Sequence, residues 1–286
     1  MASSEIFITE TINQYTPRAG AYDTSLGGWH AVLGRDYVDF HPPPRGGAVL
    51  DLACGTGLVS LPYARAVGPD GVVVGVDITD AMLDEARKKP LSADSGAVHW
   101  VKGDIADLSS IDVVQQFRQA RGGFDVISCC SALVLLQNPA ACIRHWATYL
   151  IPGRGRMIID VPTQDRTMQY LFTVSLRKSL GLSNVFDREW VRDIHSLENM
   201  YKGAGLKVEK SFRTKSYLPE KVWREDDGTA AFEEASTSTY KWIRKDDHIL
   251  ARAREVWPGI WKDSLNEKGE LRDGHPLYVT IGVRRE

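Results

Sequence analysis

The 286-residue chain has no run of 18 apolar residues, which leaves no candidate membrane-spanning helix. It has no excess of charge of either sign: 35 Lys and Arg stand against 37 Asp and Glu, for a net charge of −2. Nucleic-acid binding rests mainly on neutralising phosphates, so this balance argues against such a partner. The opening residues 1–10 carry no basic run and no long apolar stretch, which predicts no secretory signal. Cysteine is scarce, and Cys54, Cys129, Cys130 and Cys142 form no C-x-x-C pair, so a metal or redox site is not expected. Unpaired thiols fit a reducing compartment, and the expected location is cytoplasmic. No internal repeat and no low-complexity run is present. What remains is ordinary globular material, 43% apolar and 25% charged, enough for one large domain or one domain with a cap.

The informative stretch is Ala48–Gly57, A-V-L-D-L-A-C-G-T-G. It predicts a short buried strand over Ala48–Leu52, a loop with glycines at 55 and 57, and a helix carrying Leu58, Val59, Leu61 and Ala64. Such a turn lets a ligand approach bare backbone and aims helix N–H groups at its polar end. Asp51 lies inside the motif. Asp77 closes the next apolar run, Val72–Val76, about 20 residues after Gly57, the interval at which a βαβ unit delivers an acceptor to a ribose. A nicotinamide-dinucleotide site would need a G-x-G-x-x-G or A pyrophosphate cradle, where this chain has Gly55-Thr56-Gly57-Leu58-Val59-Ser60. An acid within the motif suits a cationic amino group better than a pyrophosphate, which points to S-adenosylmethionine.

Asp51-Leu52-Ala53-Cys54-Gly55-Thr56-Gly57, followed by Gly75-Val76-Asp77-Ile78-Thr79-Asp80-Ala81-Met82-Leu83, resembles the first two motifs of class I S-adenosylmethionine-dependent methyltransferases. The nearest likeness is to the ubiquinone/menaquinone-biosynthesis type, a group with many small-molecule enzymes of specialised metabolism. The specific motifs cover about Tyr15 to Pro162. The resemblance implies an α/β, Rossmann-like seven-stranded sheet, mostly parallel with an antiparallel last strand, and a helical cap. It implies a cofactor site made of Asp51, Ala53, Cys54, Gly55, Gly57, Asp77, Ile78, Met82, Gly103, Asp104 and Ile105. Asp104 would accept from the adenine amine, Ile105 would cover the ring, and Tyr22 and Tyr15 would lie beside the methionyl group. Cys130 and Ser131 follow the fourth strand, at the carboxyl edge where open α/β sheets gather ligands, and are placed near the reactive methyl. Many relatives carry histidines shortly after this strand; here the segment reads Val134-Leu135-Leu136, which removes the most obvious base. His30, His195 or a tyrosine are left as candidates.

Strands are further predicted at Val98–Lys102, Phe124–Cys129, Arg156–Val161, Leu206–Tyr217 and Pro276–Arg284. Helices are predicted at Ala81–Lys89 with Asp80 as N-cap, Ile111–Arg121, Ala140–Leu150, Thr167–Leu180, Val191–Ala204, 230–244 and 246–265. The division expected is a helical lid over 1–47, a cofactor-binding core over 48–162, and a completion of the sheet with an inserted helical cap over 163–286. The lid and cap hold six of the eight tryptophans, which suits an apolar or aromatic acceptor and cap packing alike. Trp29, His30 and Ser131 are the candidate substrate contacts. The expected activity is methyl transfer to a small metabolite by a monomer or homodimer. The alternative is a cofactor-binding protein of the same fold that runs a base-free reaction or serves as a scaffold.

Overall fold

Continuous apolar runs dictate the centre of the molecule, because a parallel strand covered by helices on both faces has no side to give to water. The computed structural model describes residues 4–164, 167–182 and 188–286. In it β1 (Ala48–Leu52) pairs in parallel with β2 (Val72–Asp77) and β4 (Val126–Cys129), and every residue of these three strands is buried. β2 pairs onward with β3 (Ala97–Lys102) and β4 with β5 (Arg156–Pro162), both parallel. β9 (Leu277–Arg284) inserts antiparallel between β5 and β6 (Leu206–Arg213), giving a seven-stranded sheet of order β3-β2-β1-β4-β5-β9-β6. The order reverses between β1 and β4, and a crevice opens at that point of the carboxyl edge.

One face of the sheet buries α5 (Asp112–Arg121), α6 (Pro139–Ala147) and α9 (Ile194–Gly203) through Val114, Trp146 and Tyr201. The other buries α2 (Trp29–Phe40) and α3 (Ser60–Val67) through Leu33, Tyr37 and Tyr63. α4 (Asp80–Arg87) follows β2. α1 (Ser4–Tyr15) and a 3₁₀ stretch, Thr16–Gly28, lead into α2 and cross the carboxyl edge.

The cap has a core of its own. It joins α7 (Met168–Tyr170), a π-turn at Leu171–Ser175, α8 (Leu176–Ser179), α10 (Gly228–Ser238) and α11 (Asp247–Ser264) around Phe172, Phe232, Trp257 and Trp261. A two-stranded sheet of β7 (Lys221–Arg224) and β8 (Glu270–Asp273) closes it through Trp223 and Leu271. Among the described residues no helix is long and apolar enough to cross a membrane.

Several boundaries differ from the sequence reading. The N-cap of α4 is Thr79, and Asp80 is the first helical residue, its carboxylate paired with Lys102. The helix expected over Thr167–Leu180 contains a π-turn, and the strand expected to reach Tyr217 ends at Arg213. The helix expected over 230–244 stops at Ser238 and is followed by a 3₁₀ turn, Lys241–Lys245. β7 and β8 had no expectation, since neither four-residue segment alternates clearly. Within the expected cap, residues 165–166 and 183–187 lie outside the described residues.

Candidate cofactor and active site

The turn after β1 is built from left-handed backbone. Ala53, Gly55 and Gly57 have φ of 54°, 54° and 84°, so the chain reverses within a few residues and delivers α3 behind it. The two glycines are required for different reasons. A Cβ on Gly57 would stand 2.5 Å from the Trp100 ring of β3, whereas a Cβ on Gly55 would meet nothing within 4 Å. Gly57 is bare because the protein packs against it. Gly55 is bare on a side open to a ligand.

Asp77 lies against this elbow. Its Oδ2 accepts the Gly55 N–H at 2.8 Å and its Oδ1 the Thr79 N–H at 2.8 Å. Burial raises its pKa, while these N–H donors pull in the opposite direction and favour the ionised form. Asp51 is enclosed beneath the elbow, 1% exposed, and accepts from the hydroxyls of Ser60 and Ser128, the latter at 2.8 Å. Burial lifts its pKa to about 6.

Above the elbow a cavity of about 480 Å³ runs along the carboxyl edge. Its walls gather most of the residues expected from sequence: Tyr15, Tyr22, Ala53, Gly55, Asp77, Ile78, Met82, Gly103, Asp104, Ile105, Cys130 and Ser131. They also gather residues that were not expected. Phe7 and Thr11 join Tyr15 on one face of α1, and the four-residue spacing that aligns them was readable in the sequence. Leu135, Leu136 and His145 close the opposite wall. The Nε2 of His145 accepts the Leu108 N–H at 3.0 Å, and burial lowers its pKa. Among the described residues no lysine or arginine lines the cavity, while Asp77, Asp104 and Asp107 do.

Two networks hold the rim. Asp23, in the 3₁₀ stretch, accepts from the Thr56 hydroxyl and pairs with Lys89, which also donates to the Thr56 carbonyl at 2.6 Å. This ties the N-terminal segment to the glycine loop and to the end of α4. Ser131 has φ of 55°, an uncommon conformation for a residue with a Cβ, and Asp160 sustains it. The Asp160 carboxylate accepts the Ser131 N–H at 2.9 Å, the Ser131 hydroxyl at 3.2 Å and the Tyr37 hydroxyl. Asp160 is fully buried, which raises its pKa to about 6.

Other sequence candidates lie off the wall. Asp51 and Gly57 lie behind it, as does Cys54, whose sulfur packs toward Gly75. Trp29 and His30 form a second layer: His30 stacks on Trp29 at 3.7 Å between ring centroids and on the wall residue Tyr22 at 4.6 Å. Burial pushes the His30 pKa down to about 3, so its ring is neutral near pH 7. His195 is a correction. It is solvent-exposed on α9, paired with Glu198 at 3.1 Å, and takes no part in the site because α9 packs on the face of the sheet rather than its carboxyl edge. The cap tryptophans Trp257 and Trp261 are buried in the cap core and donate their indole N–H groups to backbone carbonyls at 2.8 and 2.9 Å.

Residues 49–153 match the family described as a methyltransferase domain. The chain is 37% identical over 155 residues to the aklanonic acid methyltransferase DauC of a Streptomyces species, covering 54% of this chain and 64% of that protein. It is 31% identical over 144 residues to the nocamycin O-methyltransferase of Saccharothrix syringae, covering 50% of this chain and 48% of that one. It is 32% identical over 138 residues to the ubiquinone/menaquinone biosynthesis C-methyltransferase UbiE of Pseudomonas putida, covering 48% and 50%. The last two matches thus span about half the length of those relatives. Among solved structures, the magnesium protoporphyrin IX methyltransferase of Synechocystis with bound SAH aligns over 73% of this chain and 94% of its own, with a TM-score of 0.53 at 20% identity. At that identity the likeness speaks to the fold. Residues 49–153 thus match a methyltransferase domain, and the chain around them completes a seven-stranded, Rossmann-like sheet.

Proposed function

We propose that this chain transfers a methyl group from S-adenosylmethionine to a small-molecule acceptor. The observation that carries the reading is the Asp77 carboxylate held against bare Gly55 at the floor of a cavity that, among the described residues, no lysine or arginine lines. A phosphate-bearing cofactor would find no cation on that wall, whereas a ribose and an ammonium find carboxylates. The volume lies within the range of small-molecule sites. The donor set fits the cofactor: Asp77 for the ribose hydroxyls, Asp104 for the adenine amine, Ile78, Met82 and Ile105 for the ring, and Gly55, Tyr15 and Tyr22 for the amino-acid end. When bound, the cofactor supplies an electrophilic methyl on a sulfonium.

The chain's own work is alignment and exclusion of water. The N-terminal segment roofs the cavity, and the Asp23–Lys89–Thr56 network fastens that roof to the loop. Ser131, fixed by Asp160, sets the rim next to Cys130. Positioning of this kind can contribute on the order of 7–11 kcal/mol to a displacement. His145, the one histidine among the described wall residues, already accepts a backbone N–H, so the acceptor must be acidic or already nucleophilic. The names of the relatives, aklanonic acid and nocamycin methyltransferases among them, support an acceptor drawn from specialised metabolism. Free thiols at all four cysteines support a cytoplasmic setting.

Calorimetric titration with S-adenosylhomocysteine tests the cofactor, and mass-spectrometric detection of methylated product across phenolic and acidic acceptors tests turnover. Saturable micromolar binding with product formation is expected. No binding at millimolar ligand would reject the reading.

A further inference from the structure

A second set of polar groups converges beneath the cap, beyond the end of β5 and before the start of β9. Arg188 lies there with its guanidinium largely withdrawn from water. It donates to the Thr173 hydroxyl at 3.3 Å and lies 5.7 Å from the centroid of the Tyr170 ring. Among the described residues no carboxylate pairs with it. A buried guanidinium carries five N–H donors and a charge that is costly to leave uncompensated. Thr173 belongs to the π-turn, a widened helical turn frequent at functional positions. Gln169 and His275 share the narrow niche that Arg188 lines, at the sheet edge where open α/β folds take their ligands.

The niche connects to the cofactor cavity through stacked rings. Tyr22 on the cavity wall meets His30, His30 stacks on Trp29, and Trp29 lies 4.5 Å from His275 between ring centroids. Trp29 is 6% exposed, yet its indole N–H has no acceptor, and His30 Nδ1 also lacks a partner. Buried donors without acceptors are rare in folded proteins and ask for a ligand or water that supplies them. A guanidinium is a donor-only group, so the partner that Arg188 lacks among the described residues is an acceptor, and the favoured acceptor is an anion.

We propose that the acceptor molecule carries a carboxylate and that Arg188 recognises it, with Gln169 as a neutral donor beside it. The inference rests on the methyl-transfer reading for the name acceptor, but the anion site stands on its own geometry. Binding would open the niche between the N-terminal rings and the cap and draw the anionic end of the molecule under α7.

The test is calorimetry on the full chain saturated with S-adenosylhomocysteine, using 1-hydroxy-2-naphthoate and its uncharged carboxamide as probes. The wild type should bind the carboxylate at least tenfold more tightly than the carboxamide. That preference should fall below threefold in Arg188→Gln and be partly kept in Arg188→Lys, with affinity for S-adenosylhomocysteine unchanged. Equal affinity for the two probes in the wild type, absence of binding by both, or an undiminished preference in a folded Arg188→Gln protein would overturn the proposal. Should Arg188→Gln fail to fold, Gln169→Ala replaces it, with a several-fold loss of carboxylate affinity expected and no loss overturning. If the wild type does not bind S-adenosylhomocysteine, the methyl-transfer reading fails by itself, and the naphthoate pair titrated without it still decides on the anion site.

Discussion

Asp77 accepts the N–H of Gly55 through one carboxylate oxygen and that of Thr79 through the other, each at 2.8 Å. One side chain at the tip of β2 therefore fixes both the elbow after β1 and the first turn of α4. Its remaining lone pairs face the cavity, which makes structure and binding inseparable at this residue.

Asp77→Ala is expected to weaken S-adenosylhomocysteine binding by roughly 100-fold, since a hydrogen bond to a charged group contributes about 1.5–3 kcal/mol and a ribose offers two. Asp77→Asn keeps one acceptor and should lose less. Titration calorimetry on both variants, with melting temperatures alongside, separates lost affinity from lost fold.

The two loop glycines should fail differently. Gly57→Ala places a Cβ 2.5 Å from Trp100 at φ of 84° and should destabilise the protein by about 2–4 kcal/mol in urea unfolding. Gly55→Ala has free space around it, so about 1–2 kcal/mol of backbone strain is the whole stability cost. Its larger effect should fall on ligand affinity, because the added methyl projects into the open side.

Asp23→Ala breaks the link from the N-terminal segment to Lys89 and Thr56. The pair is partly exposed, so stability should fall by no more than about 1 kcal/mol. The dissociation rate of S-adenosylhomocysteine should rise several-fold, which stopped-flow displacement would read.

Tyr37→Phe removes a hydroxyl donor from Asp160 and leaves it with Ser131 and the Cys130 thiol. A loss of about 1–3 kcal/mol is expected near pH 7. Asp160 titrates at about 6 in the fold, above an ordinary carboxyl, so the folded state holds a proton the unfolded chain has released and loses stability as pH rises from about 4 to 6. Without the Tyr37 donor the ionised form is disfavoured further, and the deficit of the variant should grow between pH 5 and pH 7 in chemical unfolding.

His275→Gln tests the opposite sign. Burial holds the His275 pKa down to about 4, and the Arg188 guanidinium acts in the same sense. The unfolded chain takes up its proton near 6.5, so stability is lost as pH falls from there toward 4, by about 1.4 kcal/mol per pH unit for the group. The variant should gain on the wild type as the solution is acidified from pH 7 to pH 5.

The glycine elbow and the cavity lining around it were legible in the sequence because that information is local. A strand, two glycines and an acid one βαβ unit later are fixed by neighbours in the chain, and Gly55 and Asp77 do meet. Asp160 with Tyr37 and Ser131, Trp100 behind Gly57, and Arg188 beside His275 join residues far apart in the chain, and no period or spacing announces such pairs. His195 misled for the same reason: a histidine on a helix looks alike whichever way the helix faces. The lining of α1 was legible through Phe7, Thr11 and Tyr15, but only once that helix was known to cross the crevice.

Ala53 and Ser131 both adopt left-handed backbone, at the tips of the neighbouring strands β1 and β4. Each conformation carries a cost on the order of 1 kcal/mol, and that cost is met when the chain folds rather than when a guest arrives. The mouth between them is thus already in shape before capture, so little ordering entropy is left to oppose association on this side. Tight binding there needs no rearrangement of the sheet edge.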